Sequence, residues 1–200
     1  IYWKKVVILQ PKQWKKVANM LQRKIIDRLE KWYQSGHYKA PLVFGARQVG
    51  KTTAIREFAK AHYGHLIEVN FVKHPMAAKA FDGDLTTHTI ITNLSAMGFG
   101  PFVEGKTLVF FDEIQECPNA RTAIKFLVEE HLFDYIESGS LLGINYKPVP
   151  SYPVGYEERY DVYPLDFEEF LWAKGVSDDV IEILKKSYRQ LSPVPEFIHQ

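Results

Sequence analysis

The chain has 200 residues, 46% of them hydrophobic and 14% aromatic, which is ample for the packed core of one domain of ordinary size. Its 25 basic and 24 acidic residues leave a formal charge of +1, so the bulk field neither demands nor excludes a polyanionic partner, and a nucleic-acid role has to be argued locally. The single cysteine, Cys117, rules out an internal disulfide framework and fits a reducing compartment; with no apolar run of about 18 residues and no signal-peptide pattern, a cytoplasmic protein without a membrane segment is expected.

Residues Ile1 to Gln10 read as an extended lead, and a chain that starts without Met is expected to be a piece of something longer. From Trp14 to Tyr33, Val17, Leu21, Ile25, Leu29 and Trp32 or Tyr33 recur at steps of three and four, predicting an amphipathic helix that ends at Gly36. Its other face carries Lys15, Lys16, Arg23, Lys24, Arg28 and Lys31, either a solvated face, which is the expectation, or a footing for nucleic acid.

The stretch that organises the chain is LVFGARQVGKTT, Leu42 to Thr53. Gly45, Gly50, Lys51 and Thr52 fill the pattern G-x-x-x-x-G-K-[ST] of a phosphate-binding P-loop. Backbone N–H groups can converge on a phosphate where residues without a Cβ make the tight turns and the positive end of a helix stands behind them. Gly45, Ala46, Arg47, Gln48, Val49, Gly50, Lys51, Thr52 and Thr53 are therefore the candidate nucleotide-contacting segment. Lys51 would reach the β and γ phosphates, the Thr52 hydroxyl would enter the coordination sphere of Mg²⁺, and the Thr53 side chain is expected to pack inward. The flanks suit the motif: Pro41 to Phe44 reads as a short buried strand, and Thr52 to Tyr63 as a helix with Ala54, Ile55, Phe58 and Ala59 on one side.

His65 to Phe71 alternates like a strand, and Lys79 to Gly98 reads as irregular helix. Lys106 to Phe111 (KTLVFF) is a near-continuous apolar run of the kind found in a parallel sheet covered on both faces, and it ends in Asp112-Glu113. Ligands of open α/β sheets bind at such carboxyl ends, where Asp112 would hold Mg²⁺ through water and Glu113 would polarise a water for in-line attack on the γ phosphate. Cys117 reads as structural. A helix is predicted over Ala120 to Glu130, opened by Pro118-Asn119, and then a strand over Asp134 to Glu137 that delivers Ser138-Gly139-Ser140 to its carboxyl end. A hydroxyl there could sense the γ phosphate; turn chemistry alone would also favour Ser-Gly-Ser.

Asn145 to Tyr160 is rich in proline and tyrosine, a loop able to stack bases or dock a partner, with packing over the sheet as the expectation. Asp161 to Leu165 is predicted as the last strand, followed by a short helix capped by Asp166 with Glu169 three residues on and closed by Gly175. A final helix starts at Ser177, acidic early and basic late, in keeping with its dipole. The expected organisation is one domain over residues 1–200: a helical lead at 14–35, a nucleotide-binding core at about 36–175 and a terminal helix at 177–190.

GARQVGKTT, LVFFDEIQECPNA, YIESGSLLG and YPVGYEERYDVYPLDFEEFL, in this order and spacing, resemble the prokaryotic AAA-type ATPases of the ATP-binding family whose members carry an uncharacterised domain after the ATPase core. The resemblance covers about Ile25 to Leu171. It implies an α/β P-loop NTPase fold: a five-stranded parallel sheet with helices on both faces and the P-loop strand central. It also implies ATP with Mg²⁺ as ligand. Gly50, Lys51 and Thr52 would bind the triphosphate, Asp112 and Glu113 would form the acidic motif, and Ser138 or Ser140 would match the sensor position. The second domain would be missing from this chain. Such enzymes complete their site with an arginine from a neighbouring subunit of a homo-oligomer; where many relatives have Gly-Arg this chain has Gly155-Tyr156, leaving Arg159 as the nearest catalytic substitute and Arg121 as another. The expected activity is ATP hydrolysis, with ATP and ADP as ligands, driving conformational change. The alternative is a nucleotide-gated module with little or no hydrolysis, acting on nucleic acid or a protein partner. A helicase reading of DEIQ would need two such cores.

Overall fold

The computed structural model describes residues 21–36, 38–140 and 149–198. They group into a larger unit, Arg23–Asp166, and a second unit that includes the chain from Phe167. In the larger unit, α1 (Lys24–Gln34), β1 (Ala40–Gly45), α2 (Lys51–His62), β2 (His65–Asn70), a 3₁₀ segment (Pro75–Phe81), α3 (Thr87–Ala96), β3 (Thr107–Asp112), α4 (Pro118–Glu129), β4 (Asp134–Ser140) and β5 (Glu157–Val162) follow in turn.

The five strands form one sheet in the order β2-β3-β4-β1-β5, with every neighbouring pair parallel. Strands β1 and β3 are buried at every position, as apolar interior strands covered on both sides must be. On one face Val43, Leu108, Phe110, Ile136, Tyr160 and Val162 pack against Ile25, Leu29 and Trp32 of α1 and Ile55 and Phe58 of α2. On the other, Leu42, Phe44, Val69, Val109, Phe111 and Tyr135 pack against Ile90 and Leu94 of α3 and Ile124 and Leu127 of α4. The fold is thus α/β with helices on both faces of a five-stranded parallel sheet.

Several expectations are corrected. The P-loop strand β1 is interior but not central: the middle place belongs to β4, and β1 lies between β4 and β5. Lateral order is set by which faces can be covered, and chain order does not encode it. Helix α1 starts at Lys24, because Arg23 is extended (φ −130°, ψ 138°) and its guanidinium is drawn to the P-loop; residues 14–20 of the expected helix lie outside those described. Strand β4 runs on through Ser138-Gly139-Ser140, which is strand and not turn, since Val43, Phe44 and Gly45 pair with those three residues. Strand β5 occupies Glu157–Val162, four residues earlier than Asp161, because pairing along all of β1 requires it. Thr53 is exposed, as the buried stripe of α2 runs through Lys51, Ala54, Ile55, Phe58 and Ala59. Lys79 to Gly98 resolves into the end of the 3₁₀ segment, a short connection and α3.

The basic face of α1 is partly engaged within the chain: Lys24 Nζ lies 2.6 Å from Asp166, and the Arg28 guanidinium sits 4.2 Å over the Tyr160 ring. Of the tyrosine-rich stretch, Tyr160 is buried in β5, Tyr156 packs against the core, and Tyr152 faces Arg121; Tyr146 and Pro148 lie outside the described residues.

The second unit holds α5 (Phe167–Ala173) and α6 (Asp178–Gln190), joined through Gly175 at φ +80°. Lys185 Nζ on α6 reaches Glu168 of α5 at 2.5 Å, and Trp172 Nε1 donates to Asp178 at 3.0 Å. Ser177 precedes α6, with Asp178 and Asp179 in its first turn and Arg189 in its last. Among the described residues no helix is long and apolar enough to cross a membrane.

Candidate functional site

The site forms at the carboxyl ends of β1, β3 and β4. Gly45 ends β1 where a Cβ would stand 2.1 Å from the Val162 carbonyl oxygen, so β5 can approach this closely only beside a glycine. Gln48 (φ 64°) and Gly50 (φ 90°) then turn the loop through the left-handed region before α2 begins at Lys51. No acidic side chain lies in the first turn of α2, so nothing on that turn neutralises its positive end. Val49 is buried in the core and anchors the loop from beneath.

Lys51 is 7% exposed, and its Nζ donates to the carbonyls of Gly45 at 3.0 Å and Ala46 at 2.7 Å, closing the loop on itself. Burial pushes its pKa down, while the nearby Glu113 and Asp112 carboxylates pull the other way.

Asp112, 4% exposed, ends β3 and is held from both neighbouring strands. Asn70 Nδ2 at the end of β2 donates to Oδ2 at 2.7 Å, and the Ser138 hydroxyl on β4 donates to Oδ1. Thr52 Oγ1 stands 3.3 and 3.4 Å from the two carboxylate oxygens, at the outer edge of hydrogen bonding. The Thr52 hydroxyl and the Asp112 carboxylate thus face one another, as groups serving one Mg²⁺ site would. Because both Asp112 oxygens already accept hydrogen bonds, contact through water fits best. Among the described residues no group of three or more His, Cys, Asp or Glu side chains could hold a metal.

Glu113 has φ 57°, an uncommon value for a residue with a side chain. Its Oε2 accepts from Gln115 Nε2 at 2.5 Å, and Gln115 Oε1 in turn accepts from the Ser140 backbone N–H at 3.4 Å. The fold therefore assembles Lys51, Thr52, Asp112, Glu113 and Ser138 across 88 positions of sequence, 51 to 138, with Ser140 reached through Gln115.

The arginines are placed elsewhere. Arg121, 7% exposed, makes a two-pronged pair with Glu157 at 2.8 and 2.9 Å, so it is not available as a finger. Arg159 lies on the edge strand with its guanidinium 3.9 Å over the Phe44 ring, on the sheet face opposite α2, and 2.7 Å from Asp161. Neither joins the Lys51–Asp112 cluster of its own chain. Cys117 is buried in the core at 3% exposure, the structural place expected of it.

A family model described as an AAA domain matches residues 37–171. The chain belongs to the AAA domain family. No match was found among the curated proteins. Among solved structures the chain is similar to C. elegans PCH-2, at 15% identity and a TM-score of 0.40. The similarity covers 84% of this chain and 44% of that one, so the chain spans less than half the length of that structure. Membership makes this a nucleotide-binding, ATPase-like domain.

Three residues of the candidate site are not singled out by the sequence. Asn70 carries a usable signal, as a polar residue at the carboxyl end of an alternating strand of the same sheet. Gln115 stood within DEIQ without a role. Arg23 reads as one of six basic residues on a helix face, yet its guanidinium donates to the carbonyls of Val49 at 2.5 Å and Tyr163 at 2.7 Å, tying the P-loop to the end of β5.

Proposed function

We propose that this AAA domain binds ATP with Mg²⁺ and hydrolyses its terminal phosphoanhydride bond, using the reaction to drive a conformational change. The observation that carries the reading is Asp112, clamped by Asn70 and Ser138 and facing Thr52, with Glu113 beside it. Backbone N–H groups from Gly45 to Thr52 would cradle the phosphates and Lys51 would exchange its carbonyl partners for phosphate oxygens. Thr52 and, through water, Asp112 would hold Mg²⁺, whose charge offsets that of the phosphates in the transition state. Glu113 would orient the attacking water and accept its proton, and Ser138 would report on the γ phosphate through its bond to Asp112.

The test is turnover of ATP over a range of protein concentrations, by the parent and by Glu113→Gln. Loss of a positioned base costs about a hundredfold to ten-thousandfold in rate, without loss of ATP affinity, since the contact is made mainly in the transition state. Equal rates would remove Glu113 from the mechanism.

A second reading, a nucleotide-gated binding module with little hydrolysis, is favoured by one observation: both candidate fingers are engaged within their own chain, Arg121 by Glu157 and Arg159 by Asp161 and the Phe44 ring. If a homo-oligomer completes the site, Arg159, with its side chain 53% exposed, is the arginine that could be offered to a neighbouring copy, and turnover per chain would then rise with concentration. The family resemblance further supports a domain following this core, and a lone reduced cysteine accords with a cytoplasmic setting.

A further inference from the structure

We propose that Gln115 is the positioning residue for Glu113, setting the direction of its carboxylate and coupling that direction to the end of β4. The inference rests on the reading of Glu113 as the residue that orients water.

Gln115 is 6% exposed, and its amide is committed at both ends. The Ser140 backbone N–H can only donate, so it takes Oε1, and this turns Nε2 onto the Glu113 carboxylate, which can only accept. The partners therefore dictate the orientation of the amide. They also explain the residue type: a carboxylate at 115 could accept from Ser140 but would face Glu113 as a like charge, while an apolar side chain would serve neither partner.

Glu113 needs such a partner. It leaves β3 in the left-handed region, at φ 57°, and its side chain is aimed by that turn and by whatever binds its tip. The strand that anchors Gln115 also carries Ser138, whose hydroxyl holds Asp112. One stretch of β4 thus holds the metal-facing carboxylate directly and the water-facing carboxylate through Gln115, so a shift at the end of β4 would be felt by both.

The experiment compares Gln115→Met and Gln115→Glu with the parent and with Glu113→Gln, reading kcat, KM and ATP affinity by calorimetry, with thermal melts for folding. Gln115→Met should lower kcat about tenfold or more, the scale typical of residues that orient a functional ligand, while ATP affinity stays within about twofold because binding is carried by the P-loop. Gln115→Glu keeps an acceptor for Ser140, so a merely structural role predicts an unchanged kcat; the positioning role predicts a fall. In the Glu113→Gln background, Gln115→Met should add no further loss, as contacting residues are not additive. Wild-type kcat in Gln115→Glu, or the same fold loss from Gln115→Met in both backgrounds, would overturn the proposal. A slow Glu113→Gln beside a fast Gln115→Met defeats this inference alone, whereas a Glu113→Gln variant as fast as the parent defeats the hydrolytic reading beneath it.

Discussion

Replacing Asn70 by alanine tests the claim that Asp112 is held in place from β2. Asn70 is 7% exposed and pairs in register with Asp112 across β2 and β3. The substitution removes the 2.7 Å donor to a carboxylate that is itself buried, and a hydrogen bond to a charged group contributes about 1.5–3 kcal/mol. It also removes Asn70 Oδ1 as acceptor for the backbone N–H groups of Val72 and Lys73, but both residues are exposed, so water replaces it at a cost of roughly 0.5 kcal/mol. The sum is about 2–3.5 kcal/mol of stability, or a fall of about 4–14 °C in melting temperature for a chain of this size. Asn70→Asp keeps the acceptor for Val72 and Lys73 and sets a second carboxylate against Asp112. Its deficit should shrink when Mg²⁺ is added, since a cation beside the two carboxylates offsets their repulsion. Chemical denaturation and calorimetric melts with and without Mg²⁺ and ATP read all of this. If Asn70→Ala stayed within about 0.5 kcal/mol of the parent and bound MgATP equally well, the clamp on Asp112 would have no energetic content.

Lys51→Ala should weaken ATP binding by about 3 kcal/mol, since a charge-assisted contact within a phosphate cradle is lost; an unchanged dissociation constant by calorimetry would refute the phosphate role. Chelating Mg²⁺ should abolish turnover and still leave some nucleotide bound through backbone contacts, and full activity in excess chelator would show that Thr52 and Asp112 do not act through a metal. Glu137 is fully buried on β4; burial first, and then Glu157 beside it, raises its pKa, against a smaller opposing effect of Arg121. With the folded pKa above the unfolded one, stability is greatest below the ordinary glutamate range and is lost as pH rises from there towards the folded value. Glu137→Gln removes that proton linkage, so its stability relative to the parent should improve steadily from about pH 4.5 upward. Parallel pH profiles for the two chains would refute a protonated Glu137.

The local devices of this fold are visible in the order of residues because each depends on near neighbours. Gly45, Gly50, Lys51 and Thr52 at fixed spacing announce a loop whose backbone must turn inward, and the apolar runs before them and before Asp112 announce strands covered on both faces. The stripe of Ala54, Ile55, Phe58 and Ala59 likewise places the face of α2 that is buried. What the sequence could not show depends on residues far apart along the chain meeting in parallel register. Ser-Gly-Ser reads as the segment just beyond a strand, sensing or turning, until Val43 to Gly45 pair alongside it. Arg121 and Arg159, the latter the nearer, both stand as candidates for a finger until Glu157 takes the one and Phe44 lies under the other. Asn70 is an ordinary strand end until β3 stops beside it at Asp112. A parallel sheet brings the carboxyl ends of separate strands together through long crossovers, so local pattern selects the strands, and their lateral order, which only packing decides, selects the side chains that meet at the site.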